Sequence, residues 1–153
     1  MAPRDIAPRI VVLDGHTLNP GDLSWAPLEA LGVVALHART PPALVAERSR
    51  GAHIVITNKA VVDAAAIAEL PELRYIGVTA TGTNVVDKAA ATQRGIVVSN
   101  VPSYGADSVA EHTLSLMLEA SKQLARHTAA VRAGDWARQP DFSFRVGEIR
   151  LLA

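Results

Sequence analysis

The amino-acid sequence predicts an α/β domain with a parallel sheet covered by helices on both faces, and three observations carry that expectation. Short β-branched runs alternate with longer helical patterns in the order βαβαβαβαβ, which calls for crossover connections between parallel strands. The runs are continuously apolar rather than alternating, as strands buried on both faces are. The chain has 153 residues, 49% hydrophobic and 20% charged, and at this length a single domain buries roughly 68–70% of its unfolded surface. That composition excludes disordered and collagen-like classes.

The first strand is expected over residues 9–13 (RIVVL), closed by the turn-forming Asp14-Gly15. Asp22 then suits the N-cap of a helix whose apolar face is Leu28, Ala30 and Leu31 and whose stop is Gly32. Residues 33–36 form a second strand. Thr40 followed by Pro41 reads as a helix start, because proline at the first helical position loses no bond the helix would use, and Gly51 ends that segment. Residues 53–57 (HIVIT) are the third strand. Asp63 caps a short alanine-rich helix ending before Pro71, and residues 75–78 (YIGV) are the fourth strand. Asp87 opens a helix closed by Gly95, and residues 96–99 are the fifth.

The last third has a different texture. Ser108-Val109-Ala110-Glu111 has the form of a capping box. The following stretch, to about Arg132, contains no glycine or proline, so it predicts one helix of roughly 35 Å at 1.5 Å per residue. Its first half, from Val109 to Ala120, is apolar on nearly every side and requires burial all round. His112, beside the cap, is expected to be a structural hydrogen-bonding residue. Beyond Gly134, Trp136, Phe142 and Phe144 hold half of the six aromatic residues. They either pack locally against the long helix or form an arm on a second subunit.

Fifteen basic and fifteen acidic side chains cancel, so no bulk charge draws the chain to nucleic acid or an anionic membrane. The absence of cysteine excludes a disulfide framework, a thiolate metal site and a cysteine nucleophile. Residues 1–8 lack the apolar segment of a signal peptide, and Glu111 and His112 interrupt the apolar stretch near Val109. A soluble cytoplasmic protein is expected.

Ligands of open parallel sheets bind beyond the carboxyl ends of the strands, which directs attention to the turns there. The turn after the first strand, Asp14-Gly15-His16-Thr17, is polar but has no phosphate-cradling glycine pattern. The third strand ends in Thr57-Asn58-Lys59, placing an ammonium at the sheet edge where it attracts a carboxylate or stays a solvated surface charge. The fourth ends in the small residues Thr79-Ala80-Thr81-Gly82-Thr83-Asn84, whose backbone amides can approach an anion closely. No G-x-G-x-x-G, P-loop or G-x-S-x-G motif occurs, and no two histidines have the spacing of a zinc helix. A phospho-receiver domain is rejected because Asn58-Lys59 stands where its carboxylate would be needed.

Residues 70–78 (LPELRYIGV), 80–87 (ATGTNVVD), Arg94-Gly95-Ile96, Asn100-Val101-Pro102 and 108–113 (SVAEHT) resemble, in order, the D-isomer-specific 2-hydroxyacid dehydrogenases. Within them the chain is most similar to the glycerate dehydrogenase and hydroxypyruvate reductase group, in which Thr57-Asn58-Lys59 and Ala133-Gly134-Asp135-Trp136 also have counterparts. The resemblance implies a flavodoxin-like substrate-binding domain over residues 1–105. It implies a long interdomain and dimerisation helix over 106–132, and an arm over 133–153 leading to a Rossmann domain that the chain lacks. It further implies that Ala80, Thr81 and Gly82 face the substrate carboxylate, that Thr81 also lies near the nicotinamide, and that Lys59 faces the substrate.

No catalytic residue carries over, because the family's catalytic arginine, glutamate and histidine lie beyond the matching part. The implied cofactor of the full-length relatives is NAD or NADP, with none expected to bind this chain alone. The implied substrate is a small 2-hydroxy or 2-keto acid, the implied partner a second copy in a homodimer. The expected function is that of an N-terminal fragment of an NAD(P)-dependent oxidoreductase, inactive by itself. The alternative is a non-catalytic dimerisation or regulatory module retaining the fold.

Overall fold

Five apolar runs become strands: β1 (Arg9–Val12), β2 (Val33–Leu36), β3 (Ile54–Thr57), β4 (Tyr75–Val78) and β5 (Val97–Asn100). The computed structural model describes residues 7–141 and 143–147. The strands form one all-parallel sheet in the order β2-β1-β3-β4-β5, the flavodoxin-like order. β4 has the expected bounds, and β5 lies one residue later than expected.

Four short helices connect the strands: α1 (Ala26–Glu29), α2 (Val45–Arg48), α3 (Ala64–Ala68) and α4 (Lys88–Gln93). Right-handed crossovers in this strand order put α1 on one face and α2, α3 and α4 on the other. α2 accordingly touches α3, and α3 touches α4. Between them and the sheet lie Leu13, Val55, Ile67, Leu70, Ile76 and Val78, all essentially inaccessible. Burying each such side chain contributes about 1.5–3 kcal/mol.

Two of the expected caps form. The Asp63 carboxylate accepts from Ala66 N at 2.8 Å, and that of Asp87 from Ala90 N at 2.9 Å. Gly95 closes α4 with φ +67, a conformation that costs glycine no side-chain clash. Gly32 is needed for a different reason, since a Cβ there would lie 2.2 Å from the Pro8 carbonyl oxygen.

Other expectations are corrected. Asp22 caps nothing, because α1 begins only at Ala26. The preceding loop is organised by Asn19, whose Oδ1 accepts from Gly21 N and Leu23 N, and Ser24 Oγ accepts from Ala26 N at 3.1 Å. Pro42, not Pro41, takes the first helical position, opening a 3-10 turn (Pro42–Leu44) before α2.

The chain divides into two compact units at Ser103 and Tyr104. In the second, α5 (Ala106–Lys122) and α6 (Leu124–Arg132) replace the single long helix expected. Gln123 separates them in the left-handed conformation, φ 52 and ψ 48, so the regular hydrogen-bond ladder stops there without any glycine or proline. The Ser108–Glu111 capping box does not form, because α5 starts at Ala106 and Ser108 is already inside it. The apolar residues of α5 are not buried: Val109 is 66%, Leu114 57% and Leu116 58% exposed. The His112 side chain is likewise exposed and makes no hydrogen bond among the described residues, contrary to the structural role expected of it.

After α6, Phe144 packs edge-on against Trp136 with ring centroids 5.6 Å apart, and 6.0 Å from the His127 ring. Val146 N donates to His127 Nε2 at 3.1 Å, which leaves Nδ1 to donate to the Gln123 carbonyl. Phe144 thus packs locally, against His127 of α6 and Trp136, while Trp136 stays 47% exposed. Phe142 lies outside the described residues.

Candidate functional site

In this strand order the connections from β1 and β3 leave in opposite directions, so their carboxyl ends open a crevice where ligands bind such sheets. The crevice is organised by Asp14, 3% exposed. Its carboxylate accepts from Asn58 N (2.9 Å to Oδ1), Ala60 N (2.9 Å to Oδ2) and Lys59 N. Three successive amides on one carboxylate compensate for its burial without a counter-ion. The same turn is tied by Thr57 Oγ1, which donates to the Ala60 carbonyl at 2.7 Å, and by Asn58 Nδ2, which donates to Thr17 Oγ1 at 3.2 Å.

Lys59 is exposed, and among the described residues no acidic group lies within ion-pair distance of it. It lines a cleft of about 210 Å³ with Asp14, Thr17, Arg39, Thr40 and Ala60. A neighbouring cleft, between Trp25 and His37, also contains His16 and Asn19. Burial, and secondly the Arg48 guanidinium, push the His37 pKa below its ordinary value.

The turn after β4 lies at the same end of the sheet, on the adjacent strand. Asn100, at the end of β5, donates through Nδ2 to the Thr81 carbonyl at 2.7 Å. Val101 N donates to the Ala80 carbonyl at 3.2 Å, and Thr81 Oγ1 makes a long 3.4 Å bond to the Val101 carbonyl. The two carbonyls are thereby occupied. Among the described residues, however, no acceptor takes the N–H of Ala80, Thr81 or Gly82. Thr81 and Gly82 are exposed, Ala80 half-buried. The turn therefore presents three consecutive N–H groups without a protein acceptor and no side chain larger than threonine, an arrangement suited to an anion.

This geometry places all four expected site residues at the carboxyl edge of the sheet. None of Ala80, Thr81 and Gly82 lines the Lys59 cleft. The sequence placed Asp14 in a polar turn and Asn100 at a strand end without giving either a role in holding the site. Asp14 stood inside a dipeptide that reads as an ordinary turn, and its partners lie more than forty positions away; an acid directly after an apolar strand was the available signal.

Residues 11–140 match the family of D-isomer specific 2-hydroxyacid dehydrogenases, catalytic domain. The chain belongs to this family. It is 42% identical over 139 residues to a hydroxypyruvate reductase of Blautia hydrogenotrophica, covering 89% of this chain and 43% of that protein. It is 40% identical over 103 residues to a glycerate dehydrogenase of Methylorubrum extorquens, covering 67% and 33%. Among solved structures, a 2-hydroxyacid dehydrogenase of Ketogulonicigenium vulgare superposes with TM-score 0.73 at 26% identity, covering 95% of this chain and 44% of that one. The chain thus spans under half the length of these family members. Among the described residues no helix is long and apolar enough to cross a membrane.

Proposed function

We propose that this 2-hydroxyacid dehydrogenase chain supplies the substrate-carboxylate half of an active site acting on the CH–OH group of small 2-hydroxy acids of the glycerate, hydroxypyruvate and glyoxylate type. The observation that carries this reading is the run of backbone N–H groups at Ala80, Thr81 and Gly82 that no protein acceptor among the described residues takes. A carboxylate needs two or more charge-assisted bonds to leave water, and preformed backbone donors provide them with no side-chain ordering. Lys59 adds a positive charge at the same edge, favouring approach of an anion.

The other half of such a reaction, hydride exchange at the substrate C2, belongs to NAD or NADP in this reading. The chain's own residues do not suit a dinucleotide: without G-x-G-x-x-G no strand–turn–helix offers a pyrophosphate site, and only Thr81 is proposed to lie beside the nicotinamide. No general acid is assigned within the chain. We therefore expect purified chain to show no reduction of hydroxypyruvate by NADH or NADPH.

The exposed Val109, Leu114 and Leu116, spread around α5, support assembly as a homodimer, since clustered apolar side chains of this kind are ordinarily covered. Analytical ultracentrifugation tests this, and a monodisperse monomer counts against it. A non-catalytic dimerisation module would expose the same side chains, so the deciding measurement is at the turn. Amide resonances of Ala80, Thr81 and Gly82 should shift saturably with D-glycerate and not with glycerol, which lacks the carboxylate. No saturable shift at these three amides overturns the substrate-site reading.

A further inference from the structure

We infer that Asp14 is a positioning residue for Lys59, acting on substrate binding only through the turn that carries the lysine; the inference rests on the proposed substrate-facing role of Lys59. An exposed lysine on an ordinary turn samples many positions, and holding it costs side-chain and backbone entropy. Here the backbone part of that cost is met in advance. The buried Asp14 carboxylate holds the amides of Asn58, Lys59 and Ala60 at once. Thr57 Oγ1 closes the same turn from inside through the Ala60 carbonyl.

Asp14 is itself fixed, since Leu13 N donates to the Ile56 carbonyl and Thr17 Oγ1 to the Asp14 carbonyl at 2.8 Å. The end of β1 thus grips the end of β3 at the point where the crevice opens, and the Lys59 stem starts from the gripped turn into the cleft that Asp14, Thr17 and Thr40 also line. Among the described residues Asp14 has no cationic partner, so its negative charge is matched by amides alone and does not neutralise the Lys59 ammonium through an ion pair. An asparagine at position 14 keeps the shape but offers one acceptor oxygen, and its NH2 faces N–H groups.

The test is a double-mutant cycle on the full chain, with D-glycerate binding and thermal stability read for wild type, Asp14→Asn, Lys59→Ala and the double variant. Asp14→Asn should weaken binding about tenfold when Lys59 is present and leave it unchanged when position 59 is alanine. The loss of Tm should be the same in both backgrounds, because the buried carboxylate is lost in both. Asp14→Glu, which retains the charge, should restore part of the affinity. Equal weakening by Asp14→Asn in both backgrounds overturns the inference, as does unchanged binding in Asp14→Asn when Lys59→Ala alone weakens it. If Lys59→Ala has no effect, the role of Lys59 falls and the inference with it, while shifts at the Ala80 to Gly82 amides still judge the carboxylate site separately.

Discussion

The side-chain amide of Asn100 donates to the Thr81 carbonyl at 2.7 Å, so the end of β5 holds the turn that follows β4. The Thr81 carbonyl shares a trans peptide plane with the Gly82 N–H, so engaging it orients that plane with the N–H facing away from the bond. Asn100→Ala should therefore loosen the turn rather than the core. One net hydrogen bond of about 1 kcal/mol corresponds to about a fivefold loss of D-glycerate affinity. Isothermal titration checks this, with Tm expected to change little because Asn100 is exposed.

Gly82 is exposed and does not occupy the left-handed region. A Cβ there would meet only the Asn84 Oδ1 atom, at 3.1 Å, the end of a side chain that can move. Gly82→Val should leave the urea midpoint nearly unchanged and reduce carboxylate binding by about tenfold or more, because the added methyls cover the amides. A fall in stability that accounts for the whole binding loss would instead make the glycine a folding requirement.

α3 and α4 have only five and six residues, too few to persist on intrinsic propensity. Their caps should consequently be visible in equilibrium unfolding. Asp63→Ala and Asp87→Ala should each cost about 1 kcal/mol in urea titrations, with unchanged slope.

His37 has its pKa lowered by burial first and by Arg48 second, from an ordinary value of 6.5. The folded chain holds the neutral ring while the unfolded chain takes up a proton below that value, so stability falls as pH drops through the mid-sixes. Above it both states are neutral and His37 contributes no slope. His37→Gln should flatten the difference between urea midpoints measured at pH 7.5 and 5.5, whereas an unchanged difference would assign the slope to other groups.

Much of the sheet was legible because β1, β2, β3 and β5 are short runs rich in β-branched residues with Gly, Asp or Asn at or near an end, and because Asp63 and Asp87 cap helices that start immediately after them. Asp22 misled because Asn19 and Ser24 take the nearby amides, a competition that residue identity does not rank. The break at Gln123 was invisible, since glutamine is a good helix former and only three-dimensional context places it at φ 52. The turn at Ala80 to Gly82 was readable as small residues after a strand. Its support by Asn100, and the grip of Asp14 on residues 58–60, were not, because both are contacts between separate strand ends.

The strand order also sets a timetable for biosynthesis. Ile10 pairs with Val34 on one side and with Ile54 on the other, and β4 and β5 then extend the sheet outward one after the other. Once the first pair exists, every strand leaving the ribosome docks on an edge already waiting for it, with no strand inserted between two earlier ones. The Asp14 carboxylate stays hydrated until residues 58–60 emerge, and its desolvation coincides with the arrival of β3. The edges awaiting the next strand in the nascent chain are therefore successively β1, β3 and β4, while the outer edge of β2 stays open throughout.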